Sequence, residues 1–174
     1  MDNKLITLTV NGKEYRFFVG DDSVEGVIPN SEVLVKTLRN RLNLTGAKDA
    51  CEEGACGCCT VIMNGDPVTS CMILTADCDG AEITTIEGLA DPETGALDPL
   101  QQAFIDKYAF QCGYCTPGII MSAKALLNHN PNPTREEIGE ALSGNFCRCI
   151  SHYHVFEAVE QVINEQREAA NVHN

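Results

Sequence analysis

The sequence predicts an α+β fold, in which the first half of the chain forms a small mixed sheet and the second half a bundle of helices. Two pairs of strand-like segments in the first half are each joined by an Asn-Gly dipeptide. From Asp91 onward, almost all apolar residues recur at helical spacing. We therefore expect a domain boundary near residue 88, with one domain over residues 1–88 and a second over residues 89–174.

The first predicted hairpin is formed by Lys4–Val10 and Glu14–Val19, in which apolar and polar residues alternate. Asn11-Gly12 lies between them, and this dipeptide between two such runs is the strongest short hairpin signal. A polar loop over residues 21–30 follows. Apolar residues then recur at helical spacing from Val33 to Leu42, which predicts a helix that leads into the first group of cysteines.

A second hairpin is predicted about Asn64-Gly65, between Thr60–Met63 and the stretch around Val68. Glu82–Ile86 is predicted to be the last strand. Two Asp-Pro dipeptides then mark a connector, after which the helices begin.

Helices are predicted in the second half from caps, prolines and apolar spacing. The second of them begins with Thr116 as N-cap and Pro117 at the first helical position. Thr134 and Glu137 form a capping-box pattern at the start of the third. A frayed tail is expected over residues 168–174. The predicted helical segments are 100–108, 116–127, 134–142 and 153–167.

Composition limits the possible classes of function. The length of 174 residues fits one medium domain or two small ones, and 44% hydrophobic residues are enough to form a core. With 12 Lys and Arg against 25 Asp and Glu, the net charge is −13, so we expect no nucleic-acid partner. Met1–Val10 has no features of a signal peptide, and no apolar run approaches the ~20 residues of a membrane span. We therefore expect a cytoplasmic location.

Ten cysteines in such a chain require an explanation, because reducing compartments disfavour disulfides and leave metal binding or redox chemistry. The first group is a C-x4-C-x2-C triplet with a distant fourth cysteine, formed by Cys51, Cys56, Cys59 and Cys71. This spacing is that of plant-type [2Fe-2S] ferredoxins. Gly54 and Gly57 would let the loop turn its N–H groups toward sulfur.

The alternative for the first group is a structural zinc site, since four thiolates also satisfy tetrahedral zinc. Zinc knuckles usually consist of two C-x2-C pairs, so a triplet with one distant cysteine favours iron–sulfur. Cys58 could compete with Cys59 as a ligand. We favour a packing role for Cys58, because a free cysteine often packs like a small hydrophobic residue.

The second group combines a C-x2-C pair with a C-x-C pair, formed by Cys112, Cys115, Cys147 and Cys149. A C-x2-C pair alone is weak evidence, since zinc sites and thioredoxin-like motifs share it. Both pairs lie at predicted helix ends, and the N-terminus of the helix at Pro117 would direct its partial positive charge toward sulfur. His152 and His154 could suggest histidine ligation, which we discount because four thiolates are already present.

Together, the two groups resemble the small [2Fe-2S] iron–sulfur subunit of the molybdenum hydroxylase family, which includes xanthine oxidase/dehydrogenase, 4-hydroxybenzoyl-CoA reductase and aldehyde oxidoreductase. The similarity spans nearly the whole chain. It implies an N-terminal β-grasp, plant-ferredoxin-like domain with one cluster, followed by a C-terminal four-helix bundle domain with a second cluster. The most specific matching stretches are Cys51–Val61 (CEEGACGCCTV), Gln111–Gly118 (QCGYCTPG) and Gly144–Cys149 (GNFCRC).

The resemblance also implies roles for individual residues. The ligands of the first [2Fe-2S] cluster would be Cys51, Cys56, Cys59 and Cys71. The ligands of the second would be Cys112, Cys115, Cys147 and Cys149. The residue that corresponds to Gln111 touches the molybdopterin of a large partner subunit in this family, and the one that corresponds to Cys149 lies close to it. A medium FAD subunit is a further implied partner, in a hetero-oligomer.

The predicted function is therefore relay of single electrons between a molybdopterin centre and a flavin subunit or another acceptor. The complex would act on N-heterocycles, aldehydes or aromatic compounds, and the direction of electron flow stays open because some members of the family run in reverse to remove a phenolic hydroxyl. No nucleophile with a base, phosphate loop or dinucleotide fingerprint is visible, so the chain alone is not predicted to be a catalyst. The alternatives are a zinc-stabilised scaffold without a redox role and a free-standing ferredoxin. Cys58, Cys78 and the segment Ile150-Ser151-His152 have no assigned role, and the last of these departs from the family pattern.

Overall fold

A mixed β-sheet occupies the first half of the chain in the computed structural model, which describes residues 3–21 and 23–172. Within these ranges the strands are β1 (Lys4–Val10), β2 (Lys13–Gly20), β3 (Ile28–Pro29), β4 (Thr60–Met63), β5 (Asp66–Thr69) and β6 (Glu82–Thr84). Their order across the sheet is β3-β2-β1-β6-β4-β5. Helices occupy the second half, so the predicted α+β class is confirmed.

Both predicted Asn-Gly hairpins are present. Strand β1 pairs antiparallel with β2, and β4 pairs antiparallel with β5. The φ angles are 50° at Asn11, 76° at Gly12, 53° at Asn64 and 96° at Gly65. Positive φ at both central residues is the requirement of the two-residue turn whose twist matches that of the flanking strands. Strand β6 joins the two hairpins, because it pairs in parallel with β1 and antiparallel with β4.

Two segments of the first half differ from the sequence prediction. The loop predicted over residues 21–30 contains β3, which pairs in parallel with the end of β2 and buries Ile28 completely. The helix predicted from Val33 to Leu42 consists of a short turn, α1 (Leu34–Lys36), followed by a π-helical stretch over Thr37–Arg41. Both differences concern hydrogen-bond patterns that apolar spacing does not distinguish.

The helices of the second half, within the described ranges, are α2 (Pro99–Asp106), α3 (Thr116–His129), α4 (Arg135–Ala141) and α5 (His152–Val172). The capping box of Thr134 and Glu137 is confirmed at the start of α4. The prediction that Thr116 caps α3 is wrong, because Thr116 is already helical and Cys115 occupies the cap position. No helix in the described part of the chain is long and apolar enough to span a membrane.

The prediction that residues 168–174 form a frayed tail is wrong for those of them that the structure describes. Helix α5 continues to Val172. Residues 173 and 174 lie outside the described ranges.

The two halves of the chain each have a core of buried apolar side chains, and they also contact each other. Ile62 of β4 packs against Met121 and Ala125 of α3. Ile86 and Leu89, which lie between the halves in sequence, pack against this contact and against the helical core. The domain boundary therefore remains a prediction from the sequence.

Candidate metal centres

The first group of cysteines lies on the loop before β4 and on the turn after β5. Its members are Cys51, Cys56, Cys59 and Cys71. Along the loop, φ is 57° at Glu52, 74° at Gly54 and 69° at Gly57. The two glycines therefore adopt the left-handed conformation that the sequence predicts, and such turns of the backbone expose N–H groups to an anionic group.

Backbone N–H groups of this loop donate to sulfur. The N–H group of Glu53 has the largest effect and, together with the thiol and N–H group of Cys56, lowers the pKa of Cys51 to about 7. A thiol with this pKa is substantially ionised near neutral pH, and the thiolate is the form that binds metals. The loop therefore favours the charged form of its first cysteine.

Cys71 lies in a more buried position. Burial raises the pKa of Cys71 to about 12, although the N–H group of Gly54 donates to its sulfur. A Cβ atom at Gly54 would lie 2.9 Å from Cγ of Met72, so the loop approaches this turn closely only with glycine. In the first group, the thiol of Cys56 therefore acts on Cys51 and that of Cys59 on Cys71, which places these four sulfurs in two neighbouring pairs, while Cys56 also interacts with the thiol of Cys58.

The second group surrounds a surface pocket of about 180 Å³ between the start of α3 and the segment that precedes α5. Its members are Cys112, Cys115, Cys147 and Cys149. The Sγ atoms of Cys112 and Cys149 are 3.7 Å apart. Cys115 and Cys147 share another sulfur hydrogen bond. The second group is therefore also made of two sulfur pairs.

N–H groups near the second group act mainly on Cys147. Those of Cys149 and Ile150 lie 3.4 and 3.3 Å from its Sγ atom. Burial alone would raise the pKa of Cys147, but these N–H groups and the Cys115 thiol outweigh burial and lower it. Burial raises the pKa of Cys115, at the start of α3, to about 12. The stabilising N–H groups thus come mainly from the turn before α5 and not, as predicted, from the N-terminus of α3.

The chemistry of both groups fits a [2Fe-2S] cluster. Each group offers four sulfurs in two pairs, and such a cluster takes two protein ligands at each iron. Within the described ranges, no three or more His, Cys, Asp and Glu side chains form a group that could hold one metal ion. N–H groups directed at sulfur offset the negative charge of an iron–sulfur cluster.

Gln111 lies at the exposed edge of the second group. Gln111, Cys112 and Cys149 are all exposed. Phe146 and Tyr114 line the same pocket and are 64% and 46% exposed, respectively. Exposed aromatic side chains beside exposed sulfurs are typical of a surface that contacts another molecule.

Comparisons with known proteins agree with this geometry. The [2Fe-2S] binding domain family matches residues 85–160, which contain the whole second group. The nicotinate dehydrogenase small FeS subunit of Eubacterium barkeri is 47% identical over 163 residues, covering 94% of this chain and 97% of that protein. The chain belongs to the small iron–sulfur subunits of the molybdenum hydroxylase family. The nicotine 6-hydroxylase small subunit of Paenarthrobacter nicotinovorans is 53% identical over 74% of this chain and 76% of that subunit.

Solved structures of related proteins share the fold of this iron–sulfur subunit. The crystal structure of quinoline 2-oxidoreductase from Pseudomonas putida 86 contains a chain with a TM-score of 0.83 and 35% identity. The match covers 97% of the subunit and 98% of that chain. The aldehyde oxidoreductase of Desulfovibrio desulfuricans ATCC 27774 matches with a TM-score of 0.84 and 38% identity, over 95% of the subunit but 17% of that chain.

The two cysteines without an assigned role in this subunit lie in different places. Cys78 is buried in the core of the sheet, where its thiol donates to the carbonyl oxygen of Leu74 at 3.5 Å. Burial raises the pKa of Cys78 to about 11. Cys58 is buried on the first loop but lines the pocket of the second group, and burial raises its pKa to about 12. A neutral packing role fits both thiols.

Two residues that the sequence does not identify as functional join the two groups of this subunit. The Tyr114 hydroxyl donates to the carbonyl oxygen of Asp49 at 2.9 Å, and Asn145 Nδ2 donates to that of Gly57 at 3.1 Å. Tyr114 and Asn145 belong to the matching stretches QCGYCTPG and GNFCRC. Nothing in those stretches indicates that they contact the first loop, so no sequence signal identifies these contacts.

Proposed function

We propose that this subunit carries single electrons through two [2Fe-2S] clusters, between the molybdopterin centre of a large subunit and a flavin subunit or another acceptor. When bound, each cluster supplies a one-electron redox couple. The observation that supports this proposal is the presence of two four-sulfur groups, each made of two pairs. We propose that Cys51, Cys56, Cys59 and Cys71 bind the first cluster. Cys112, Cys115, Cys147 and Cys149 would bind the second.

The sulfur pairs support a division of ligands between the irons. In the first group, Cys51 and Cys56 would bind one iron, while Cys59 and Cys71 would bind the other. In the second group the pairs are Cys112 with Cys149 and Cys115 with Cys147. The N–H groups of each loop would then lie against the sulfurs of a bound cluster and partly compensate its negative charge.

The exposed edge at Gln111 and Cys149 is the proposed contact with the large subunit. An exposed cysteine pair at this edge would place the second cluster closer than the first to the molybdopterin. The amide of Gln111 can both donate and accept hydrogen bonds, which suits contact with a pterin. We further propose that residues 1–88 form a β-grasp domain and residues 89–174 a four-helix bundle domain. The FAD subunit and the cytoplasmic location remain predictions.

Relatives named for nicotinate, nicotine and caffeine support an N-heterocycle as the class of substrate of the complex. Other relatives are named for aldehydes. The substrate would bind to the large subunit, since none of the residues discussed above forms a substrate site.

Metal analysis of the purified chain tests the proposal. Two clusters require two irons each, so four irons and matching acid-labile sulfide per chain are expected. Two paramagnetic signals should appear on full reduction. Zinc in a colourless protein would support the scaffold alternative, and failure to co-purify with a much larger chain would support a free-standing ferredoxin.

Cysteine variants assign the ligands. Cys59→Ser and Cys115→Ser should each lose one of the two signals and half of the iron. Cys58→Ala is the matched control for Cys59→Ser and should keep both signals. If Cys58→Ala loses iron and Cys59→Ser retains it, then Cys58 and not Cys59 is the cluster ligand.

A further inference from the structure

The loops that carry the two cysteine groups are joined directly by hydrogen bonds. The N–H group of Phe146 donates to the carbonyl oxygen of Cys56 at 3.0 Å. The neighbouring Asn145 donates through Nδ2 to the carbonyl oxygen of Gly57 at 3.1 Å. Cys56 is a proposed ligand of the first cluster, and Phe146 directly precedes Cys147, a proposed ligand of the second. A single hydrogen bond therefore links the two ligand-bearing loops.

Close packing fixes the same contact from the side of α3. A Cβ atom at Gly118 would lie 2.1 Å from the carbonyl oxygen of Gly57 and 3.0 Å from Cα of Cys58. A Cβ atom at Gly57 would lie 2.5 Å from Nδ2 of Asn145. Either added methyl group would force the two regions apart, so both positions require glycine for this spacing.

Asn145 is the polar side chain at the centre of this contact. It is 3% exposed, and its Oδ1 atom is buried without a hydrogen-bond partner in the described part of the chain. A buried amide oxygen without a donor is unfavourable. The presence of an asparagine at this buried position is therefore best explained by the hydrogen bond that its Nδ2 atom donates to the carbonyl oxygen of Gly57.

We propose that Asn145 is a positioning residue that sets the separation of the two clusters, with Gly118 permitting the close approach. This inference rests on the proposed function. In the step that it serves, one electron would pass from the cluster held by one cysteine group, which is oxidised, to the cluster held by the other, which is reduced, and no bond would form or break. Asn145 touches neither group of sulfurs by a hydrogen bond of its own, and it acts through the carbonyl oxygen of Gly57.

The test compares Asn145→Ala and Gly118→Ala with the wild-type holoprotein. Both variants retain all proposed ligands, so iron content should be unchanged. The magnetic interaction between the two reduced centres, measured by paramagnetic resonance, should weaken in both. Hydrogen exchange of the 144–149 segment should become faster in Asn145→Ala, because the neighbouring bond from Phe146 loses support.

Matched controls are Asn164→Ala, at an exposed position of α5, and Gly139→Ala, where a Cβ atom would lie 3.5 Å from Phe156 in an ordinary contact. Both should keep the wild-type interaction. Full iron with an unchanged magnetic interaction and unchanged hydrogen exchange in Asn145→Ala would overturn the proposal. Loss of one cluster from Asn145→Ala would also overturn it, because the residue would then hold a cluster rather than set a distance. Failure of the proposed function is distinguishable, since wild-type protein would then itself lack four irons or a second signal.

Discussion

Removing Lys124 should destabilise the helical half of the subunit more than removing its partner, Asp98. Lys124 Nζ lies 2.6 Å from Asp98 Oδ2, and the Asp98 side chain is 8% exposed whereas that of Lys124 is 28% exposed. Asp98 also caps α2, because its Oδ1 atom accepts from the N–H group of Leu100 at 2.9 Å. The ion pair thus connects α3, which follows one cysteine pair, with the start of α2.

The expected magnitude follows from what each substitution leaves behind. Lys124→Met leaves the buried carboxylate of Asp98 without its cation. Removing one partner of a buried ion pair lowers the free energy of unfolding by about 3 kcal/mol or more, and we expect a loss of about 3 kcal/mol here. Asp98→Asn keeps a capping side chain, and the flexible Lys124 can extend to water, so a cost of about 1 kcal/mol is expected. For a chain of this size, these costs correspond to melting temperatures lowered by roughly 6–12 °C and 2–4 °C, respectively.

Thermal melting of the holoproteins, followed by circular dichroism, measures these differences. The matched control is Lys4→Met, which removes a lysine from Asp79 at 3.1 Å, where the side chains are 65% and 44% exposed. Asp79 also accepts a backbone N–H group, from Thr7, so the two aspartates differ mainly in burial. Lys4→Met should cost less than about 1 kcal/mol.

A double variant gives the decisive comparison. The double variant Asp98→Asn/Lys124→Met has no unpaired charge at this site. Its melting temperature should therefore be higher than that of Lys124→Met alone. The argument from the buried carboxylate is refuted if the double variant has a lower melting temperature than Lys124→Met. It is also refuted if Lys124→Met and Lys4→Met lower the melting temperature equally.

Two further predictions concern the sheet half and its contact with α3. Hydrogen bonds from Arg41 hold the pKa of Glu32 below its ordinary value of 4.5, so their stabilisation is present above that pH and is lost as pH falls through the folded-state pKa. Glu32→Gln should therefore melt roughly 2–4 °C below wild type at pH 7, and the difference should narrow as pH falls below 4.5. A difference that stays constant as pH falls well below 4.5 would contradict this. Met121 is fully buried against Ile62, so Met121→Ala should cost about 2–5 kcal/mol and Met121→Leu less than about 1.5 kcal/mol, by the same melting assay. Equal melting of these two variants would contradict the packing argument.

Local sequence signals predicted those elements whose determinants are local. Each Asn-Gly turn fixes its hairpin through the φ angles of two residues, and the capping box fixes the start of α4 through the side chains of Thr134 and Glu137. The sequence did not predict β3, because this short strand is defined by pairing with β2 and by burial of Ile28. Apolar spacing from Val33 to Leu42 predicted a helix but not its π-helical part, because that part is defined by i→i+5 hydrogen bonds such as that from Leu42 to Thr37, which apolar spacing over so short a stretch does not reveal.

The candidate site shows the same division between what is local and what is not. Spacing and resemblance identify eight cysteines, but the contact between the two groups depends on the carbonyl oxygens of Cys56 and Gly57, and such atoms leave no trace in a sequence. Within GNFCRC, the aromatic Phe146 is the more conspicuous residue, yet its side chain is 64% exposed and its N–H group makes the hydrogen bond. Asn145, in contrast, uses its side chain and is 3% exposed. A side chain can be tested by substitution and a backbone group cannot be removed as simply, so Asn145 is the residue through which the spacing of the two groups can be examined.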